Sequence, residues 1–326
     1  MFWASYLLAA LAVLLAWPVP VLLSKARWTA RAPMAALILW QAIALAGGLS
    51  MIGAMLTWGL EPLGENLLAG LRGLAGLLVG RPAGPATDHG LDPVHVFALS
   101  AALLLTVHLV FTLLLTYLRI RRQRNRHRDL LNLLSSPSAH SPATLVISHP
   151  APVAYCLPGG EGPVTVLSEG LLELLSPEEL DAVLTHERAH LAQRHDLLLL
   201  AFAAWRTALP WLPTSQLAQR AVSELTEMLA DDAALGSARR ETLIRAIAVV
   251  ASGGRDAGAA ALPPAGPAAG LPGAAEAEAA STAHRLRRLL TPQPALAAGG
   301  QSLVVLGAAL LLSVPTVLLI APGLAG

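Results

Sequence analysis

His186-Glu187-Arg188-Ala189-His190 places two imidazoles four residues apart with a carboxylate beside the first. On a helix, positions i and i+4 share a face, so His186 and His190 can each turn a ring nitrogen to one ion. Glu187 projects about 100° round the same helix, where it can reach a water on that ion without ligating it. This is the H-E-x-x-H pattern, with Glu187 as candidate general base. The helix it needs is signalled upstream: Ser176 suits the N-cap, Pro177 the first helical position, and Glu179 completes a capping box. From this chain's own His and Glu content the pattern would arise by chance in about 1% of such chains. A charged helix face without metal is therefore the weaker reading.

Catalytic zinc typically keeps three protein ligands and one open position. Cys156 is the only cysteine, so the set must come from histidines and carboxylates, and no intrachain disulfide can form. Downstream, a helical pattern ending at Gly236 holds Glu227 and Asp231, which share a face. A helix returning antiparallel to the first would present Glu227 as third ligand. Asp231 would then hydrogen-bond a ligand histidine from behind. Glu224 is expected to pair with Arg220, one turn away. Tyr155, His195 and His284 are candidates for stabilising an oxyanion, and the residues do not choose among them. His195 and Asp196 are expected to close the helix end, and Cys156 to pack in a strand.

The region from about 130 to 252 reads as the compact part that positions these groups. Short strands are predicted at Thr144–Ser148, Val153–Leu157 and Val164–Leu167, rich in Val, Ile and Tyr between Pro and Gly. Three helices are expected to follow. Leu197–Leu209 is very apolar but too short for a span, with Arg206 inside it. A crossing there would also put Glu227 across the membrane from His186, so it reads as a core helix or one resting on the membrane surface. From Gly253 an Ala/Gly/Pro-rich linker runs to about 283.

The rest of the chain explains a composition of 55% hydrophobic and 13% charged residues, against roughly 25% charged in average soluble chains. Four stretches meet the requirement of about 20 apolar residues for a span: Phe2–Leu23, Met34–Trp58, Val94–Leu118 and Ser302–Ile320. Lys25, Arg27 and Arg31 follow the first, Arg119–Arg128 the third, and Arg285, Arg287 and Arg288 precede the fourth. The positive-inside rule puts both termini outside and the compact part in the cytoplasm. The Arg119–Arg128 run reads as an anchor at the membrane interface and not as a nucleic-acid site. Leu63–Val79 reads as a helix on or in the outer interface. His108 lies mid-span, as a functional group or as a neutral histidine bonded to a neighbouring helix. The layout is a three-span membrane domain (1–128), a peptidase-like domain (129–252), the linker (253–283) and the fourth span with a short C-terminus (284–326).

Tyr155-Cys156-Leu157-Pro158-Gly159-Gly160, Gly170-Leu171-Leu172, Glu179–His190 and Arg194-His195-Asp196 resemble the membrane metallopeptidases of the beta-lactam sensor-transducer type (BlaR/MecR). The related HtpX and CAAX-prenyl-protease group is similar too. Glu227–Ala234 shares their E-x-x-A-D-x-x-A element, whose first Glu is the zinc ligand. The resemblance covers roughly 144–236 by motif and the whole chain by layout. It implies a mainly α polytopic membrane protein, with a small α+β gluzincin-like zinc peptidase domain inserted between spans three and four. It implies a Zn2+ cofactor and a protein substrate, often a winged-helix repressor. Sensor-transducers carry a penicillin-binding domain after the fourth span; here the chain ends at Gly326, so a peptidase module without that sensor is expected. The competing readings are HtpX-like quality control of membrane proteins and a non-catalytic transducer, against which the intact Glu187 and Glu227 argue. Membrane lipid is an expected partner, nucleic acid is not, and self-association is left open.

Overall fold

The computed structural model describes residues 2–80, 91–138, 141–157, 162, 164–256 and 274–320. Four stretches are long and apolar enough to cross a membrane: Phe2–Ser24, Pro33–Leu63, Pro93–Leu131 and Ala298–Ile320. They expose large apolar side chains such as Phe97, Leu104 and Leu303, a surface suited to lipid. The chain is a mostly helical, multi-pass membrane protein.

The first of these stretches is broken. Helices α1 (Phe2–Ala16) and α2 (Pro18–Ser24) meet at Trp17. In an unbroken helix the Ala16 carbonyl would accept from residue 20, but Pro20 has no N–H. A distant hydroxyl satisfies it instead: Thr214 Oγ1 donates to the carbonyls of Leu15 and Ala16, 2.6 and 2.5 Å away. Thr214 lies at the start of α9 (Pro213–Ala234), just after α8 (His195–Ala208). The turn between α8 and α9 therefore reaches into the bundle of spans. There Leu209 and Leu212 pack with Met51 of α3 (Pro33–Leu60) and with Leu105 and Leu109 of α5 (Pro93–Leu134). Phe202 of α8 and Val222 and Leu225 of α9 share a core with Leu15, Leu37 and Trp40. The apolar stretch 197–209 is thus a core helix, and the spans supply much of its core. It does not rest on a surface; α8 and α9 enter among the spans and return.

Helix α5 has 42 residues, about 63 Å at 1.5 Å per residue, roughly twice the hydrocarbon thickness. It does not end with its apolar part near Leu118, because residues 119–134 contain no Pro or Gly to stop it. The projecting half carries a four-stranded sheet: β1 (Ser135–Ser138), β2 (Ser141–Ile147), β3 (Ala154–Leu157) and β4 (Val164–Ser168), in the order β1-β2-β4-β3. Only β2 and β4 run parallel. The Arg119–Arg128 run is partly spent on docking this sheet. Arg128 donates to the carbonyls of Leu157 and Gly162, and His127 Nε2 lies 2.7 Å from the Tyr155 hydroxyl; Arg124 instead meets Asp196 of α8 at 3.1 Å. His108, mid-helix in α5, has Nε2 3.0 Å from the Ala208 carbonyl at the end of α8, the bonded reading of that residue.

The other helices are α4 (Leu67–Leu78), α6 (Glu169–Leu174), α7 (Pro177–Ala192), α10 (Arg240–Asp256), α11 (Ala274–Leu290) and α12 (Ala298–Ile320). The capping box at Ser176 and Glu179 is present. At Gly170 a Cβ would collide with the Pro150 carbonyl oxygen, so the entry to α6 admits only glycine. The expected linker is helical at both ends, through Asp256 and again from Ala274; residues 257–273 lie outside the described ones, as do 81–90 of the loop before α5.

Replacing Thr214 by Val keeps the shape and strands a buried carbonyl, a cost of about 1–3 kcal/mol. Thermal unfolding in detergent should show a lowered Tm for Thr214→Val and a near-normal one for Thr214→Ser. Equal losses in both would mean that the hydroxyl does not stabilise the α1–α2 break.

Candidate metal centre

Helices α7 and α9 lie side by side. Small side chains permit the approach: Ala182 and Ala234 are fully buried in one cluster between them. This brings His186, His190 and Glu227 together. His186 Nε2 is 3.2 Å from His190 Nε2 and 3.5 Å from a Glu227 carboxylate oxygen; His190 Nε2 is 3.4 Å from the other oxygen. These three form a group able to hold a metal ion. Zinc with bonds of about 2.0–2.2 Å at tetrahedral angles needs donors roughly 3.3–3.5 Å apart, so the spacing fits.

Each histidine is held from behind. His186 Nδ1 is 3.1 Å from Asp231 Oδ1, an ion-pair approach that lies off straight hydrogen-bond geometry. His190 Nδ1 is 2.9 Å from His195 Nδ1, and His195 Nε2 is 3.1 Å from Gln193 Oε1. This chain fixes the protons. Gln193 Oε1 only accepts, so His195 carries its hydrogen on Nε2 and accepts at Nδ1. His190 must then donate from Nδ1, which leaves its Nε2 lone pair free for an ion. The turn that folds His195 back onto His190 is made by Arg194, the one non-glycine residue with positive φ (51°) among those described.

Asp231 is 1% exposed and lies behind His186. Its second partner is Arg285 of α11, which donates from Nε at 2.9 Å and from a terminal nitrogen at 2.6 Å. The other terminal nitrogen of Arg285 is 2.8 Å from Glu227. Arg285 thus clamps the two carboxylates of α9. Sequence reading placed it among topology signals, and nothing local to it marks a role in the site. Glu224 pairs with His284 at 3.5 Å, not with Arg220. Tyr155 is engaged with His127, and His195 with His190. Cys156 is half-buried in β3, its sulfur 3.3 Å from the Thr165 hydroxyl.

The electrostatics favour a cation. With neutral imidazoles, Glu187, Glu227 and Asp231 outnumber Arg285 by two charges. Burial alone would depress the pKa of His186; the Asp231 and Glu227 carboxylates outweigh it and raise it to about 9. The same field draws a metal ion to that nitrogen. Burial lowers His190 to about 4, so it offers a lone pair at neutral pH. Burial would raise Glu227, but His186, Arg285 and His190 hold it well below the usual carboxylate range. Glu187 behaves differently: burial pushes it up to about 7, with Glu227 adding to the rise. His186, Arg285 and the backbone of Cys156 oppose that rise without cancelling it. The edge strand β3 therefore runs beside Glu187.

Residues 120–225 match the model of peptidase family M48. The match takes in the end of α5, the sheet and all of the His186–His190 helix, and stops just short of Glu227. It supports a metallopeptidase activity, and the donor set is the kind that such activity needs. No curated protein and no solved structure matches the chain.

The tautomer chain predicts separable effects. His195→Phe should weaken zinc binding about 10–100-fold in competition with a chelator. His195→Gln, which can still accept from His190, should stay near the native affinity, and His190→Ala should lose the ion. Native affinity in His195→Phe would reduce His195 to a packing residue.

Proposed function

We propose that this protein is an integral-membrane zinc metalloendopeptidase that hydrolyses peptide bonds of a cytoplasmic or membrane-proximal protein substrate. The observation that carries the reading is the convergence of His186, His190 and Glu227 at 3.2–3.5 Å, with Glu187 beside them. Those three residues would hold the ion, and Asp231 would orient His186. When bound, zinc supplies Lewis acidity and lowers the pKa of water to about 7.

The protein's own residues do the rest. Glu187, poised near neutrality, takes a proton as water attacks the peptide carbonyl carbon. It returns that proton to the nitrogen as the carbon–nitrogen bond breaks. The free edge of β3 gives an extended substrate a strand to pair with, next to Glu187. A cytoplasmic winged-helix repressor as substrate rests on the BlaR/MecR resemblance. The shared core of α8, α9 and the spans favours a second reading, HtpX-like turnover of membrane proteins, because it sets the site close to the bundle. Comparing membrane proteomes of native protein and Glu187→Gln separates the two by which class of protein accumulates.

Glu187→Gln keeps shape and hydrogen bonding and removes basicity. Cleavage of an identified substrate should fall at least about 100-fold while zinc stays near one per chain; Glu227→Gln should instead lose metal affinity. Native-rate cleavage by Glu187→Gln would remove this residue from the mechanism.

For orientation, the three basic clusters motivate a cytoplasmic peptidase part with both termini outside. Reporter fusions at Gly254 and Gly326 should report opposite compartments. A cytoplasmic signal from the Gly326 fusion would overturn that topology.

A further inference from the structure

Next to the metal group, on the neighbouring flank of α9, lies a cavity of about 730 Å³ that does not include His186, His190 or Glu227. Its position in the chain is informative. Leu23 and Ser24 close the first span, Pro33 opens the second, and Thr291, Pro292, Gln293 and Ala295 lead into the fourth, and all of these line it. The cavity therefore sits where three spans end on the side of the metal group, the level at which lipid headgroups lie.

Its charge is one-sided. Six basic side chains line it: Lys25, Arg27, Arg31, Arg240, Arg287 and Arg288. Two carboxylates face them, and both are already engaged: Asp232 with Arg288 at 2.8 Å and Glu224 with His284 at 3.5 Å. Arg31 and Arg240 donate only to the backbone carbonyls of Pro294 and Leu289. Among the described residues, the side chains of Lys25, Arg27 and Arg287 make no hydrogen bond or ion pair. The apolar residues behind them, Leu23, Trp40, Leu225 and Met228, belong to the buried core. A concavity with excess cations, set where spans end at the level of the headgroups, matches the phosphate of an anionic lipid.

We propose that this cavity binds the headgroup of one anionic phospholipid, its phosphate held by Lys25, Arg27 and Arg287. The walls are braced to receive it. Arg288 Nε donates to the Ala30 carbonyl at 3.0 Å, Arg31 Nε to that of Pro294 at 2.9 Å, and the Leu296 N–H to that of Arg31 at 3.2 Å. These bonds join the loop after the first span to the end of α11. Arg285, which clamps the metal group, lies on the same helix as Arg287. A headgroup seated here would fasten that helix, and it does so whether or not the metal group is a peptidase site.

The test is lipid retention by the full-length protein, which needs no peptidase activity. Protein purified in detergent is mixed with equal phosphatidylglycerol and phosphatidylcholine, and bound lipid is counted by native mass spectrometry. One phosphatidylglycerol should be retained at least about 10-fold over phosphatidylcholine. Arg27→Gln/Arg287→Gln should lower that retention at least about 10-fold with zinc content unchanged. Arg119→Gln/Arg122→Gln, which removes interface charge outside the cavity, should keep it. Equal retention of both lipids overturns the proposal, as does an equal loss in both variants, which would mean diffuse surface charge. Displacement by millimolar inorganic phosphate alone would mean a site for free phosphate. An acidic peptide that binds where phosphatidylglycerol does not would mean a protein-docking site. Either result also overturns it.

Discussion

Asp231 sets the condition that the rest of the site obeys. A carboxylate almost wholly withdrawn from water is costly unless it is paired. Asp231 is paired twice, with His186 on α7 and with Nε and one terminal nitrogen of Arg285 on α11. Satisfying it requires three helices to meet, and they come from distant parts of the chain. Once they meet, His186 has its orientation, Glu227 lies one turn away on the same face, and Arg285 neutralises one of the negative charges. Without Arg285, α9 would bring two carboxylates into one buried corner with only histidines to meet them.

The membrane part and the metal-binding part are not separate bodies joined by a tether. Leu15, Leu37 and Trp40 of the spans and Phe202, Val222 and Leu225 of the α8–α9 hairpin form one core. The Thr214 hydroxyl completes the backbone of the first span where Pro20 leaves it incomplete. Stability of the catalytic scaffold is thus partly supplied by the spans, and the reverse holds. This follows from the chemistry of the hairpin: α8 is too apolar to face water and too short to cross, so burial among other apolar helices is what remains open to it.

What the sequence made legible was local. The four spans, the capped helix of His186 and His190, and the shared face of Glu227 and Asp231 all follow from helical arithmetic within a few turns. The three expected strands are there, while Ser135–Ser138, with its central Pro137, carries no strand signal and pairs only because α5 delivers it to the edge of β2. What stayed hidden was long-range. An arginine reads the same in sequence whether it faces headgroups or a buried aspartate, so Arg285 and Arg128 looked like their neighbours Arg287 and Arg126. Glu224 had a plausible partner four residues away in Arg220 and found a better-placed one in His284, which only the fold brings near. The apolar stretch 197–209 announced burial but not what would bury it.

The link between α11 and the fourth span shows how tightly these parts constrain one another. Residues 291–297 are clamped to the loop after the first span by the bonds of Arg31 to Pro294 and of Leu296 to Arg31. Arg288 adds a third tie to Ala30 and an ion pair to Asp232 on α9. These ties hold the C-terminal end of α11 to the loop between the first two spans, ahead of the fourth. Arg285 lies on that same helix, one turn before Arg288. The counter-charge of Glu227, beside His190, and of Asp231, behind His186, is therefore carried by a helix bonded at its end to the loop between two spans.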